Sequence, residues 1–161
     1  MNNQEKIVAC IDKDGNTFDV PASELIYRPS IYGIVIKDEK MLLVPQWDGY
    51  DFPGGGMEIH ETIEDALVRE VWEETGYTVK PIRLVGNFDS FWKHPSTGKF
   101  YHTILMYYVC ELVSGEISVE NLTDYEKKFG GKAEWVSLSE IPKIVFRNSI
   151  DSHKLLESIL S

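Results

Sequence analysis

Short apolar runs alternate along the chain with polar breaks that carry glycine or proline. Near the N-terminus, Ile7-Val8-Ala9-Cys10-Ile11 and Thr17-Phe18-Asp19-Val20 flank Asp12-Lys13-Asp14-Gly15-Asn16, a break rich in turn formers, and so predict a β-hairpin. After Pro21 and Pro29, residues 31–36 and 41–45 are β-rich runs joined by the charged turn Lys37-Asp38-Glu39-Lys40, the pattern of adjacent antiparallel strands. Residues 51–58 read as a glycine-rich loop. The apolar positions of residues 62–75 then recur with a helical period that stops at Gly76, where a left-handed glycine can end the helix. Strand-like runs resume at 77–79, 84–88, 101–111, 116–119 and 133–136. Ser139-Glu140-Ile141-Pro142 starts a short helix, and Ile150, Leu155, Leu156, Ile159 and Leu160 suit a closing one.

This interleaving predicts the α/β (α+β) class, with a mixed sheet sandwiched between helices. The 161 residues are close to the roughly 150 expected of one domain, and no repeat, low-complexity tract or linker divides them. The chain therefore reads as a single domain over residues 1–161, with residues 1–28 as an N-terminal β-hairpin extension.

Charge narrows the function. Against 26 Asp and Glu stand 16 Lys and Arg, a formal charge of −10. Long-range repulsion of phosphate backbones follows, so no nucleic-acid polymer is expected as a partner, and attraction to anionic membrane is equally weak. No apolar run approaches the roughly 20 residues of a membrane span, and the polar start Met1-Asn2-Asn3-Gln4-Glu5-Lys6 lacks a signal-peptide core, so the expectation is a soluble, cytoplasmic protein. Cys10 and Cys110 form no Cys-x-x-Cys pair, which argues against a disulfide framework or a thiolate zinc site. The Asp12–Asn16 turn fails as a calcium loop because Gly15 stands where a ligand is needed and no closing Glu follows.

The chemistry concentrates on the helix of residues 62–75. At about 100° per residue, Ile63, Ala66, Leu67 and Val71 make one apolar stripe. Glu70, Glu73 and Glu74 project within or beside that stripe, whereas a solvated acidic face would lie opposite, with Asp65, Val68 and Trp72. Carboxylates at i, i+3 and i+4 repel one another, and near a helix C-terminus the dipole disfavours them further. Arg69 can pair with Glu73 at i+4 but leaves two charges uncompensated. A divalent cation with oxygen ligands, magnesium or manganese, would meet the remainder, with an ordinary acidic helix end as the alternative. Gly54-Gly55-Gly56 matches neither Gly-x-Gly-x-x-Gly nor a Walker loop. Before such a helix, it would let backbone carbonyls approach the same ion.

The stretch from Gly55-Gly56-Met57-Glu58-Ile59-His60-Glu61 through Arg69-Glu70-Val71-Trp72-Glu73-Glu74-Thr75-Gly76-Tyr77 resembles the Nudix box, G-x5-E-x7-R-E-U-x-E-E-x-G-U with U aliphatic, over residues 55–77. Gly55, Glu61, Arg69, Glu70, Val71, Glu73, Glu74 and Gly76 fall in register, while Tyr77 departs from the aliphatic position and His60 stands where many members carry glycine. Residues 134–141 also resemble the tryptophan-containing strand and turn near the end of such domains.

The resemblance implies a Nudix-like α/β/α sandwich and magnesium-dependent hydrolysis of a nucleoside diphosphate linked to another moiety, a small-molecule substrate, by water attack on phosphorus. It implies that Glu70, Glu73, Glu74 and the Gly55 carbonyl hold the metal, that Arg69 orients a glutamate, and that Glu61 supports the metal shell through water. Glu73 is the first candidate for the general base, with Glu126 and Glu134 on a late loop as rivals. Trp47, Tyr50, Phe91 and Trp92 are candidates to stack on a base or sugar. Two other functions belong to similar folds. A nucleotide-sensing, non-catalytic module would be expected to lose box carboxylates, which this chain keeps. Isoprenoid-diphosphate isomerisation would want a pocket thiol, and neither cysteine is near the box in sequence. Surplus apolar residues on 7–11 and around 101–109 predict a homodimer through one of these strands or the N-terminal hairpin.

Overall fold

The computed structural model describes residues 4–161, so the first three residues of the expected extension lie outside the described residues. In chain order the strands and α-helices are β1 (Ile7–Ile11), β2 (Thr17–Pro21), β3 (Ile26–Tyr27), β4 (Ser30–Lys37), β5 (Lys40–Gln46), β6 (Gly49–Asp51), β7 (Gly54–Gly56), α1 (Ile63–Thr75), β8 (Tyr77–Lys93), β9 (Phe100–Gly115), α2 (Asp124–Phe129), β10 (Glu134–Ser137) and α3 (Ser152–Leu160).

The main sheet runs β10-β5-β4-β9-β8-β1-β2, with short β3, β6 and β7 pairing to β9, β5 and β4. It is mixed, because β4 and β9 are parallel while β4–β5, β8–β9 and β1–β2 are antiparallel. The two-residue turn from β4 to β5 puts Asp38 and Glu39 at φ 49 and 57, the left-handed pair a tight hairpin requires. The period of two along β4 and β5 divides the core between the two faces. Ile31, Val35, Leu42 and Val44 pack with Ala66, Leu67 and Val71 of α1, whereas Ile34, Met41 and Leu43 pack with Leu155 and Leu156 of α3. A helix on either side of one sheet is the expected sandwich.

Thr62 caps α1 by accepting from the Asp65 backbone N–H, while the Asp65 side chain returns a bond to the Thr62 N–H. The helix ends at Gly76 with φ 83. Trp72, expected opposite the stripe, is exposed. Ile63, assigned to the stripe, is also exposed, as are Glu64 and Asp65 beside it in the first turn.

Other differences have local causes. Residues 77–79 and 84–88 belong to one strand, β8, interrupted by register shifts at Thr78/Val79, Pro81/Arg83 and Leu84/Gly86 that break the clean alternation. Residues 116–119 are not a strand, because the β8–β9 ladder closes at Tyr77–Gly115 and the Ser118 N–H donates instead to the Thr75 carbonyl at the end of α1. Residues 141–143 form a single 3-10 turn where a short helix was expected. The stretch around 101–109 lies inside the sheet between β4 and β8, so its edges are already paired, and β2 is the terminal strand on that side. Among the described residues, no helix is long and apolar enough to cross a membrane.

Candidate active site

β7 crosses antiparallel to the start of β4, pairing Gly55 with Ile31, and so brings the glycine run over the C-terminal half of α1. A β-carbon on Gly55 would stand 2.6 Å from Glu70 Oε2, a space only glycine leaves open. Carboxylate oxygens of Glu70, Glu74 and Glu126 lie within 4.8 Å of one another. Glu126 comes from α2, where Thr123 accepts from the Glu126 N–H at 3.2 Å and the Thr123 N–H donates back to Glu126 Oε2 at 2.6 Å. Glu134 is elsewhere: it accepts from the Tyr50 hydroxyl at 2.8 Å and does not line the cleft.

Arg69 is fully committed. Its Nε and Nη2 both donate to Glu61, Nη2 also reaches the Gly56 carbonyl at 3.2 Å, and Nη1 donates to Glu70 at 2.8 Å and Glu73 at 3.2 Å. These contacts use all five N–H donors of the guanidinium. They fix Glu61, Glu70 and Glu73 around one cation, and Glu61 is tied again by the Glu58 N–H at 2.9 Å.

The carboxylates respond oppositely to these surroundings. Hydrogen bonding to Arg69 pulls Glu61 down to about 2. Burial pushes Glu70 up to about 7, against the pull of Arg69. Burial also raises Glu74 well above the ordinary carboxylate range, although the Gly54 N–H donates to it at 2.9 Å. Acids crowded and desolvated in this way are stabilised as anions by a positive charge placed among them. Three hard oxygen donors from two elements beside a glycine backbone suit a magnesium- or manganese-like ion.

The surrounding cleft, about 530 Å³, is lined by Gly54, Gly55, Gly56, Glu61, Glu73 and Glu126, among others. A second cavity of about 320 Å³ opens between the N-terminal hairpin and the residues preceding α3. Trp47 and Trp92 line it; Tyr50 and Phe91 do not. Tyr50 is held by Glu134, and Phe91 stacks on His102 at 4.3 Å. The cavity wall also holds Asp51, which accepts from Asn148 Nδ2 and the Phe52 N–H, both at 2.8 Å, and which burial pushes up to about 7. The buried Tyr107 hydroxyl on the same wall has no hydrogen-bond partner among the described residues.

The NUDIX domain profile matches residues 27–156. The chain belongs to the Nudix hydrolase family. An ADP-ribose pyrophosphatase of Methanocaldococcus jannaschii is 30% identical over 149 residues, covering 88% of this chain and 79% of that protein. The NAD-capped RNA hydrolase NudC of Vibrio parahaemolyticus is 28% identical over 158 residues, covering 92% of this chain but 55% of its own length. A NUDIX hydrolase from Nitrosomonas europaea superposes with a TM-score of 0.54 at 27% identity, over 73% of this chain and 77% of that one. An ADP-ribose pyrophosphatase from Streptococcus suis shares the fold, with a TM-score of 0.58 at 22% identity over 83% and 92% of the two chains.

The Nudix box is thus the glycine crossing, the Arg69 hub and the acidic half of α1. From sequence, Glu126 stands among the rival bases rather than in the carboxylate group, and Asp51, Asn148 and Tyr107 do not stand out at all. For Glu126 a signal existed: Thr123-x-x-Glu126 is a capping box that marks a helix start. For the others none did, because their meeting depends on tertiary packing.

Proposed function

We propose that this chain is a magnesium- or manganese-dependent pyrophosphohydrolase that cleaves a nucleoside diphosphate linked to another moiety by water attack on phosphorus. The observation that carries the reading is the convergence of Glu70, Glu74 and Glu126 beside Gly55, with every Arg69 donor spent on Glu70 and its neighbours Glu61, Glu73 and Gly56. In this reading those three carboxylates and the Gly55 carbonyl hold the ion. Once bound, a divalent ion neutralises diphosphate charge and makes water more acidic. Arg69 keeps Glu61 and Glu70 oriented. Glu73, which lines the cleft outside the group of three, takes the proton from the attacking water.

The cavity bearing Trp47 and Trp92 takes the nucleoside in this scheme. Trp47 holds a left-handed backbone at φ 49 and is tied to α2 by its N–H, which donates to the Phe129 carbonyl at 2.9 Å, so this cavity-lining residue and Glu126 share one support. The pocket thiol that isomerase chemistry would need finds no support: Cys110 is buried in the core behind α1, and burial pushes its thiol up to about 12. Two buried, free cysteines agree with a cytoplasmic location, and exposed Ile7 and Ile11 beside the terminal strand β2 favour a homodimer through the N-terminal hairpin.

The test is hydrolysis of ADP-ribose, NADH and nucleoside diphosphate sugars with magnesium and with excess EDTA. Metal-dependent release of nucleoside monophosphate from at least one of them is expected. Turnover undiminished in EDTA, or no turnover of any with metal, overturns the reading.

A further inference from the structure

We infer that Arg28 is the cation that grips the substrate diphosphate beside the carboxylate group. This inference rests on the hydrolase reading above and adds a residue outside the Nudix box. The cleft needs such a group, because the other guanidinium that lines it, Arg69, has no donor left. Arg28 lines the same cleft and is only lightly engaged. Its Nη2 makes two long contacts, to the Gly56 carbonyl at 3.4 Å and to Glu58 Oε1 at 3.2 Å. Its Nε–H and both Nη1–H donors have no partner among the described residues, and its side chain is 44% exposed, so the free donors can meet a ligand in the cleft.

The placement is built by the backbone. The Arg28 N–H donates to the His102 carbonyl at 3.1 Å, and the Met57 N–H donates to the Pro29 carbonyl at 2.9 Å, which locks the start of β4 beside β7. The guanidinium then lies against Gly56, where a β-carbon would stand 2.3 Å from both Cζ and Nε. The box pattern leaves position 56 free, so the box does not explain a glycine there. Room for Arg28 does. A planar guanidinium presents paired N–H donors that match phosphate oxygens, and its charge offsets that of the glutamates lining the same cleft. Glu58 holds the side chain when no substrate is bound and competes with phosphate for it.

The experiment is calorimetric binding of adenosine 5′-(α,β-methylene)diphosphate, a diphosphate that cannot be hydrolysed, in magnesium and again in EDTA. Arg28→Ala should weaken binding roughly ten- to a hundred-fold, the span of one or two lost charge-assisted hydrogen bonds. Arg28→Lys should recover part of the loss, because charge returns without the paired geometry. Gly56→Ala should weaken binding while Arg28 is present and add little to Arg28→Ala, since both act through one guanidinium. Glu58→Gln should tighten binding by releasing Arg28. If Gly56→Ala fails to fold by circular dichroism, the Arg28 and Glu58 variants still decide. Wild-type binding in magnesium with Arg28→Ala unchanged overturns the role of Arg28 and leaves the hydrolase reading standing. No magnesium-dependent binding by the wild type overturns both.

Discussion

Within the acidic cluster, side chains of one type hold different jobs because their partners differ. Glu74 belongs to the group of three carboxylates and Glu73 faces Arg69, so Gln at the two positions should fail differently. Glu74→Gln should weaken magnesium affinity, with part of the rate restored at high metal. Glu73→Gln should lower kcat by roughly 10²–10⁴-fold with little rescue, the usual contribution of a general base. Glu126→Gln losing that much rate without metal rescue, while Glu73→Gln stays active, would move the base to α2. Glu61 supplies a pH test. Its carboxyl is pulled from an ordinary value of 4.5 to about 2 by Arg69, so its ion pair stabilises the fold fully above 4.5 and is lost as pH falls towards about 2. The stability difference between wild type and Glu61→Gln, read from urea midpoints in metal-free buffer, should be flat above that window and shrink through it. A difference that does not vary with pH would show that the pair with Arg69 does not carry it. Residues on α1 were legible because helical spacing fixes their directions. Arg28 was not, because its role depends on β4 and β7 meeting across an absent side chain.

Among the elements, α1 and α2 bring acids to the cleft by unlike means. The Leu67 side chain of α1 is fully buried, and Leu67→Ala should cost about 2–5 kcal/mol of global stability. α2 has no buried residue and is held by its capping box, the Gly130 N–H and the contact of the Phe129 carbonyl with Trp47. Thr123→Ala should therefore leave the global melting temperature nearly unchanged while loosening Glu126 and lowering the rate, since a lost cap costs roughly 0.5–2 kcal/mol locally. Equal losses in melting temperature and activity would refute this division. The long elements were readable from apolar period alone, including the N-terminal hairpin, the β4–β5 pair, α1 and α3. Residues 124–129 are too short to show a helical period, offering only the Tyr125–Phe129 pair, and the bulges of β8 disturb its alternation, so both were missed or broken up.

For the whole molecule, a formal charge of −10 sets the conditions under which an anionic substrate can enter, and it makes neutralising groups decisive. The cavity near α3 illustrates what sequence cannot supply: Asp51, Tyr107 and Asn148 are far apart in the chain and meet only because β6, β9 and the segment before α3 converge. The N-terminal hairpin was visible in the sequence, but its place as the sheet's last pair was not. If the chain dimerises through it, light scattering should give twice the 18.4 kDa chain mass, and Ile7→Glu should return the monomer. A wild-type monomer at micromolar concentration would end that proposal. The central claim is that the carboxylate cleft directs water to phosphorus. Its most direct test is mass spectrometry of the products formed in heavy-oxygen water with magnesium: the label should enter a phosphate-bearing product, and label found only in a product without phosphorus would contradict the account.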